Sequence, residues 1–161
     1  MRRAELIVPF VFLPFLHVGC DPSPIYTENG RRTAAGRVSD RAAWRAYGEL
    51  KNPQGAVDGD INTAAVAAAG SRMPSLTIDL GKACCFNMVV VDHGRREHGF
   101  ARRVAVLISA DGRRYRQWYV GPGTRRVTIF SLVQPALARY VKLQVVERGA
   151  EPWSVAEVHF Q

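Results

Sequence analysis

Leu76-Thr77-Ile78-Asp79-Leu80 carries an apolar residue at every second position, and side chains that alternate in this way fall on one face of a β-strand. The same period of two recurs at Val104, Val106 and Ile108, at Val127 and Ile129, at Val141, Leu143 and Val145, and at Ala156, Val158 and Phe160. Phe86 to Val91 is instead a run that is apolar except at Asn87, which predicts a strand covered on both faces. Turn-forming residues separate these windows: Leu80-Gly81-Lys82, His93-Gly94, Asp111-Gly112, Gly121-Pro122-Gly123 and Arg148-Gly149. The one helix-compatible stretch, Thr63 to Ala69, is rich in alanines that suit a tight loop equally. Short strands at this spacing predict an all-β fold, an antiparallel sandwich or barrel.

At 161 residues the chain has the length of one domain. With 47% hydrophobic and 22% charged residues it is neither a disordered polyelectrolyte nor a polytopic membrane protein. The net charge of +8 raises the question of nucleic acid, but 19 of the 22 basic residues are Arg, scattered as doublets from Arg31 to Arg126. Basic residues are not interleaved with aromatics along one element, so the charge reads as solvated surface and no nucleic-acid partner is expected. Nucleophile-elbow, HExxH and phosphate-cradling glycine motifs are absent, and the carboxylates form no evident acid and base pair, so the chain is not expected to be an enzyme.

Residues 1–20 have the order of a secretory signal: Arg2 and Arg3, an apolar run from Leu6 to Leu16, then Gly19-Cys20. The run, interrupted by Pro9 and Pro14, is too short for a membrane span, which needs about 20 residues. Gly19-Cys20 resembles a bacterial lipoprotein junction, in which the cysteine is lipidated and becomes the mature N-terminus. His17 departs from that pattern. The resemblance implies export to the bacterial cell envelope and contact with the membrane through lipid on Cys20 only, the alternative being a cleaved periplasmic or secreted protein. Residues 21–40 are polar and rich in Pro, Gly and Ser, a tether to a domain over 41–161.

Five blocks of that domain stand in a telling order: Ala56-Val57-Asp58-Gly59-Asp60 with Thr63, Leu76-Thr77-Ile78-Asp79-Leu80-Gly81, Ser109-Ala110-Asp111-Gly112, Ala138-Arg139-Tyr140-Val141-Lys142-Leu143, and Val155-Ala156-Glu157-Val158. Together they resemble the discoidin, or coagulation factor 5/8 type C, domains of the galactose-binding-like superfamily, which includes carbohydrate-binding modules. The resemblance implies an eight-stranded antiparallel jelly-roll β-sandwich with a ligand site in loops at one end. It departs from the pattern after Thr63, where Ala64 to Ala69 contains no aromatic.

Asp58, Asp60 and Asn62 alternate like the start of an EF-hand loop, but that loop requires Gly sixth and Glu twelfth, where this chain has Thr63 and Ala69. The resemblance implies a different cation: a structural calcium held by oxygens of Gly55, Asp58, Asp60, Thr63, Ala156 and Glu157. A plain Asp-Gly turn with a solvated Glu157 is the alternative. For a glycan ligand it implies an aromatic platform and polar donors, assigned to Trp153 with Arg95, Arg96 and His93; Trp153 suits packing equally well. Trp44 and Trp118 read as packing residues. The function implied is non-catalytic glycan binding, or binding of a protein or phospholipid partner on the same fold. Cys84 and Cys85 are adjacent and face opposite ways on a strand, so they cannot chelate one tetrahedral metal together. They are read as thiols or as a vicinal disulfide.

Overall fold

The computed structural model describes residues 25–28, 31–34, 38 and 40–161. Residues 1–20, the stretch read as a signal ending at Cys20, lie outside them. Within the stretch read as a tether, β1 (Ile25–Glu28) and β2 (Arg31–Ala34) pair as an antiparallel hairpin. A 3-10 turn at Arg41–Ala43 follows, capped by Asp40, whose Oδ1 accepts a hydrogen bond from the Ala42 N–H at 3.1 Å. Next come β3 (Arg45–Gly48), β4 (Leu50–Lys51), a second 3-10 turn at Pro53–Ala56, and β5 (Ala65–Ala67). The remaining strands are β6 (Ser75–Asp92), β7 (Arg103–Ser109), β8 (Arg116–Pro122), β9 (Val127–Glu147), β10 (Ser154–Val155) and β11 (Glu157–Phe160).

These strands form a β-sandwich in which every pairing among the described residues is antiparallel. The larger sheet runs β11-β6-β9-β7-β8, with β3 on the first half of β6; the smaller runs β10-β5-β4. Alternation puts Leu76, Ile78 and Leu80, then Val106 and Ile108, then Val141, Leu143 and Val145 into one core with Phe86, Phe130 and Trp44. Trp44 meets Phe160 edge to face at 5.2 Å, and half-buried Trp118 meets Phe86 at 5.5 Å. Both tryptophans are therefore packing residues.

The division into strands differs from the sequence reading in one respect. Leu76–Leu80 and Phe86–Val91 are not two strands joined by a turn at Gly81; they are the two halves of β6, as Val127–Ile129 and Val141–Val145 are of β9. The ladder between them shifts register between Asp79 and Cys84. Gly81 sits at φ +77°, where a side chain is strained, and its N–H donates to Asp79 Oδ1 at 2.8 Å, so the signal read as a turn makes a bulge that bends a continuous strand. The Phe86 to Val91 run is also less enclosed than its composition predicts: Phe86, Val89 and Val91 are buried, while Asn87 is exposed. The Thr63 to Ala69 stretch supplies β5, paired with β4 and β10.

Candidate functional site

β6 ends at Asp92, and the chain turns through His93-Gly94-Arg95-Arg96 against the loop that precedes β5. The approach is close because residue 94 has no side chain: a Cβ there would lie 2.8 Å from both the Ala156 Cβ and the Ile61 carbonyl oxygen, and φ is +54°. Asp92 Oδ1 accepts from the Gly94 N–H at 2.7 Å and fixes the turn. On the other side, Asp60 Oδ1 accepts from both the backbone N–H and the side-chain amide of Asn62, at 2.9 and 2.8 Å. These bonds, with the Asn62 backbone first, hold the Asp60 carboxyl below its ordinary range.

Between the two loops lies a cavity of about 330 Å³ lined by Ile61, Asn62, Thr63, Ala64, His93, Arg95, Arg96 and Ala156. Arg95 and Arg96 are exposed and in no ion pair among the described residues. Their neighbour Glu97 is committed elsewhere, paired with Arg125 and, at 3.7 Å, with Arg126. That clamp holds the 94–99 loop against the β8–β9 connection, and the Arg126 N–H donates to the Glu97 carbonyl at 3.2 Å. The wall thus offers two guanidinium forks and an amide beside the half-exposed apolar face of Ile61, which can donate to ligand oxygens or pair with an anion.

Of the four residues expected to bind ligand, Arg95, Arg96 and His93 meet at this cavity and Trp153 does not. His93 is 1% exposed. Its Nδ1–H donates to the Ser154 carbonyl at 2.6 Å, and Nε2 lies 3.2 Å from the Thr128 hydroxyl. Burial pushes its pKa down against the pull of the Ser154 carbonyl and Asp92, so the ring is a neutral tie between β6 and β10 rather than an open donor. Trp153 is 4% exposed and packs into the core, so its ring face is not offered to solvent as a platform requires. It lines a second cavity, of about 340 Å³, with Ser71, Arg148 and Glu151. The reason is the short β10–β5 pairing: Ala67 N–H donates to the Trp153 carbonyl at 2.8 Å and draws the residue inward. Asn62 and Ile61, which ligand reasoning passed over, line the cavity instead; the Asp58-Asp60-Asn62 alternation carried a signal for the first.

Of the six residues expected to hold calcium, four gather around Thr63, while Ala156 lines the cavity between the two loops. The Thr63 hydroxyl lies 2.7 Å from Asp58 Oδ2, 2.9 Å from the Asp60 carbonyl and 3.2 Å from the Gly55 carbonyl, so four oxygens gather there. Glu157 is engaged separately. Alternation put it in solvent, yet it is 3% exposed, accepts from the Gly59 N–H at Oε1 (2.6 Å), and pairs through Oε2 with the Arg41 guanidinium. Among the described residues no three His, Cys, Asp or Glu side chains converge as metal ligands. With Glu157 neutralised by an arginine, the six residues do not fit a single six-donor cage.

Cys84 and Cys85 are not bridged to each other. Cys84 is a buried thiol whose Sγ is 3.4 Å from the Lys82 carbonyl oxygen, so the vicinal disulfide is not formed.

The fold is similar to that of solved carbohydrate-binding modules. One is the family 32 module of NanJ from Clostridium perfringens, solved with galactose: TM-score 0.66, 18% identity, 74% of this chain and 94% of that one. Another is CpGH89CBM32-5, also from Clostridium perfringens, solved with GalNAc-β-1,3-galactose: TM-score 0.67, 19% identity, 74% and 96% covered. The fold is also similar to that of the C-terminal domain of a chitobiase from Bacteroides fragilis, with TM-score 0.64, 16% identity, and 75% and 94% covered. No curated protein matches the chain. The model of the F5/8 type C domain matches residues 35–158, and on that match, with the five blocks in order along a β-sandwich, the chain belongs to the F5/8 type C domain family.

Proposed function

We propose that this chain is a non-catalytic glycan-binding module whose ligand sits between the 60–64 and 93–96 loops on Arg95, Arg96 and Asn62. One observation carries the reading: two adjacent, exposed guanidiniums open into a preformed cavity of about 330 Å³ with an amide and an apolar side chain beside them. Such a volume lies at the small end of ligand cavities and suits a terminal sugar rather than a long polymer. Guanidinium forks can bridge neighbouring ring hydroxyls or grip a carboxylate, and Ile61, 43% exposed, gives the apolar ring face a surface. The similarity to modules solved with galactose and GalNAc-β-1,3-galactose supports the class of ligand.

The test is a glycan array followed by calorimetry on the best ligand. Arg95→Ala and Arg96→Ala are each expected to weaken binding by about tenfold or more, the worth of a charged hydrogen bond, with the melting temperature unchanged. Undiminished affinity in the double variant overturns the site. A second reading, a protein partner, is favoured by Val127 and Ile129, which stand exposed on β9, and by Val133, exposed where the β6–β9 ladder is interrupted between Ser131 and Ala136. Retained glycan affinity after Ile129→Asp separates the two.

The module is further proposed to be presented at the cell envelope on a lipid-anchored Cys20, with residues 21–40 as spacer. Acylation consumes the Cys20 thiol, and so would a disulfide to Cys85. Mass spectrometry of the residue-20 peptide is expected to find acyl-modified Cys20; a peptide disulfide-linked to Cys85, or an unmodified Cys20, overturns the anchor.

A further inference from the structure

A carboxylate as buried as Glu157 costs several kcal/mol unless an opposite charge accompanies it inside. Its two oxygens have different neighbours. Oε1 accepts the Gly59 N–H, while Oε2 is buried, receives no hydrogen bond of good geometry, and faces the Arg41 guanidinium in an ion pair.

Arg41 is held in that position from several sides. Its Nη2 donates to the Val158 carbonyl at 3.2 Å and lies 2.8 Å from His159 Nδ1. The guanidinium carbon stands 5.3 Å from the centre of the Trp44 ring, a cation–π arrangement over a residue of the core. The stem passes Gly59 closely enough that a Cβ there would be 4.0 Å from Arg41 Cδ. Asp58 contributes a favourable charge from the same loop, although burial pulls the guanidinium pKa down. One side chain therefore joins the first 3-10 turn, the Asp58 loop and β11, the elements a cation shared by Asp58 and Glu157 would join.

We propose that Arg41 is the resident counter-cation of Glu157, supplying from the chain itself the charge that a calcium ion at this carboxylate would bring. The group around Thr63 is then closed by its own hydroxyl and carries no obligation to Glu157. The guanidinium suits the place because Nη1 faces Oε2 while Nη2 reaches a backbone carbonyl and an imidazole nitrogen, a division that the single nitrogen of an ammonium cannot make. The proposal does not rest on glycan binding and is tested without a ligand.

The test is thermal unfolding of the full chain in chelator and in millimolar calcium, for the wild type, Arg41→Gln, Glu157→Gln and the double variant. The wild-type melting temperature is expected to be the same in both buffers. Arg41→Gln, which strands a buried carboxylate, is expected to melt lower by about 10 °C or more, and Glu157→Gln added to it should recover most of that loss. If Arg41→Gln does not fold at all, folding of the double variant carries the same information. A wild-type melting temperature that falls in chelator, with the fall abolished by Glu157→Gln, puts a metal on that carboxylate and overturns the proposal. So does an Arg41→Gln that melts with the wild type, or a double variant no more stable than Arg41→Gln.

Discussion

His93 shows how a residue type that invites a functional reading can be consumed by the scaffold. A carbonyl oxygen can only accept, so the 2.6 Å contact with Ser154 fixes the proton on Nδ1, and burial holds the ring neutral. In the unfolded chain the same ring takes up a proton below about pH 6.5. The unfolded state then binds more protons than the folded one, so His93 lowers stability as pH falls through that value and has no effect above it. From that pH down to the lower folded-state value, one proton corresponds to a slope of up to about 1.4 kcal/mol per pH unit. Urea unfolding at a series of pH values should give His93→Asn a shallower acid slope than the wild type; equal slopes would mean that the folded histidine protonates freely. Arg95 and Arg96 are the counterexample, two residues whose charge the scaffold leaves to solvent. Nothing in their sequence neighbourhood separates them from Arg125 and Arg126, which Glu97 takes up. Only the fold makes that distinction.

Among the elements, β6 was half legible. Its alternation marked the buried face at Leu76, Ile78 and Leu80, and the glycine at 81 marked an irregularity, but a bulge and a hairpin turn use the same residue for the same positive φ. What decides between them is the partner strand: β9 runs antiparallel along both halves of β6, which a local window cannot see. Arg139 reinforces the bend from β9 with two bonds to Asp79, at 2.8 and 3.0 Å. Placing a side chain at φ +77° costs about 1–2 kcal/mol, and the Ala43 Cβ and carbonyl oxygen stand 3.4 Å from where it would go. Gly81→Ala should therefore lower the unfolding free energy by that amount in a denaturant titration. No loss would show that the bend relaxes without the glycine. β11 was legible in its apolar residues and misleading at Glu157, because alternation assigns faces and says nothing of what packs outside them.

For the molecule as a whole, the class of fold followed from period-two windows and turn residues, and the family from five blocks in order. The site was legible only in part: the Asp58 loop and the Arg95-Arg96 turn were both marked, while the close approach that joins them depends on Gly94 meeting Ile61 and Ala156. Trp153 went the other way because a tryptophan beside a proline has no pattern that separates display from packing. The shared strands β6 and β9 also govern how the chain reaches this state. Ser75 finds its partner in Gln144 and Asp92 finds its own in Val127, so the central ladder closes only after most of the domain exists as chain. Pairings so distant must bear the loop-closure entropy before contacts repay it, which places such folds in the slow, millisecond-to-second regime. Until β9 arrives, the Leu76 to Val91 segment presents a long strand rich in apolar residues, its β9-facing edge unpaired, to whatever surrounds it. The interval between synthesis of β6 and synthesis of β9 is thus when this chain is most prone to pair with the wrong neighbour.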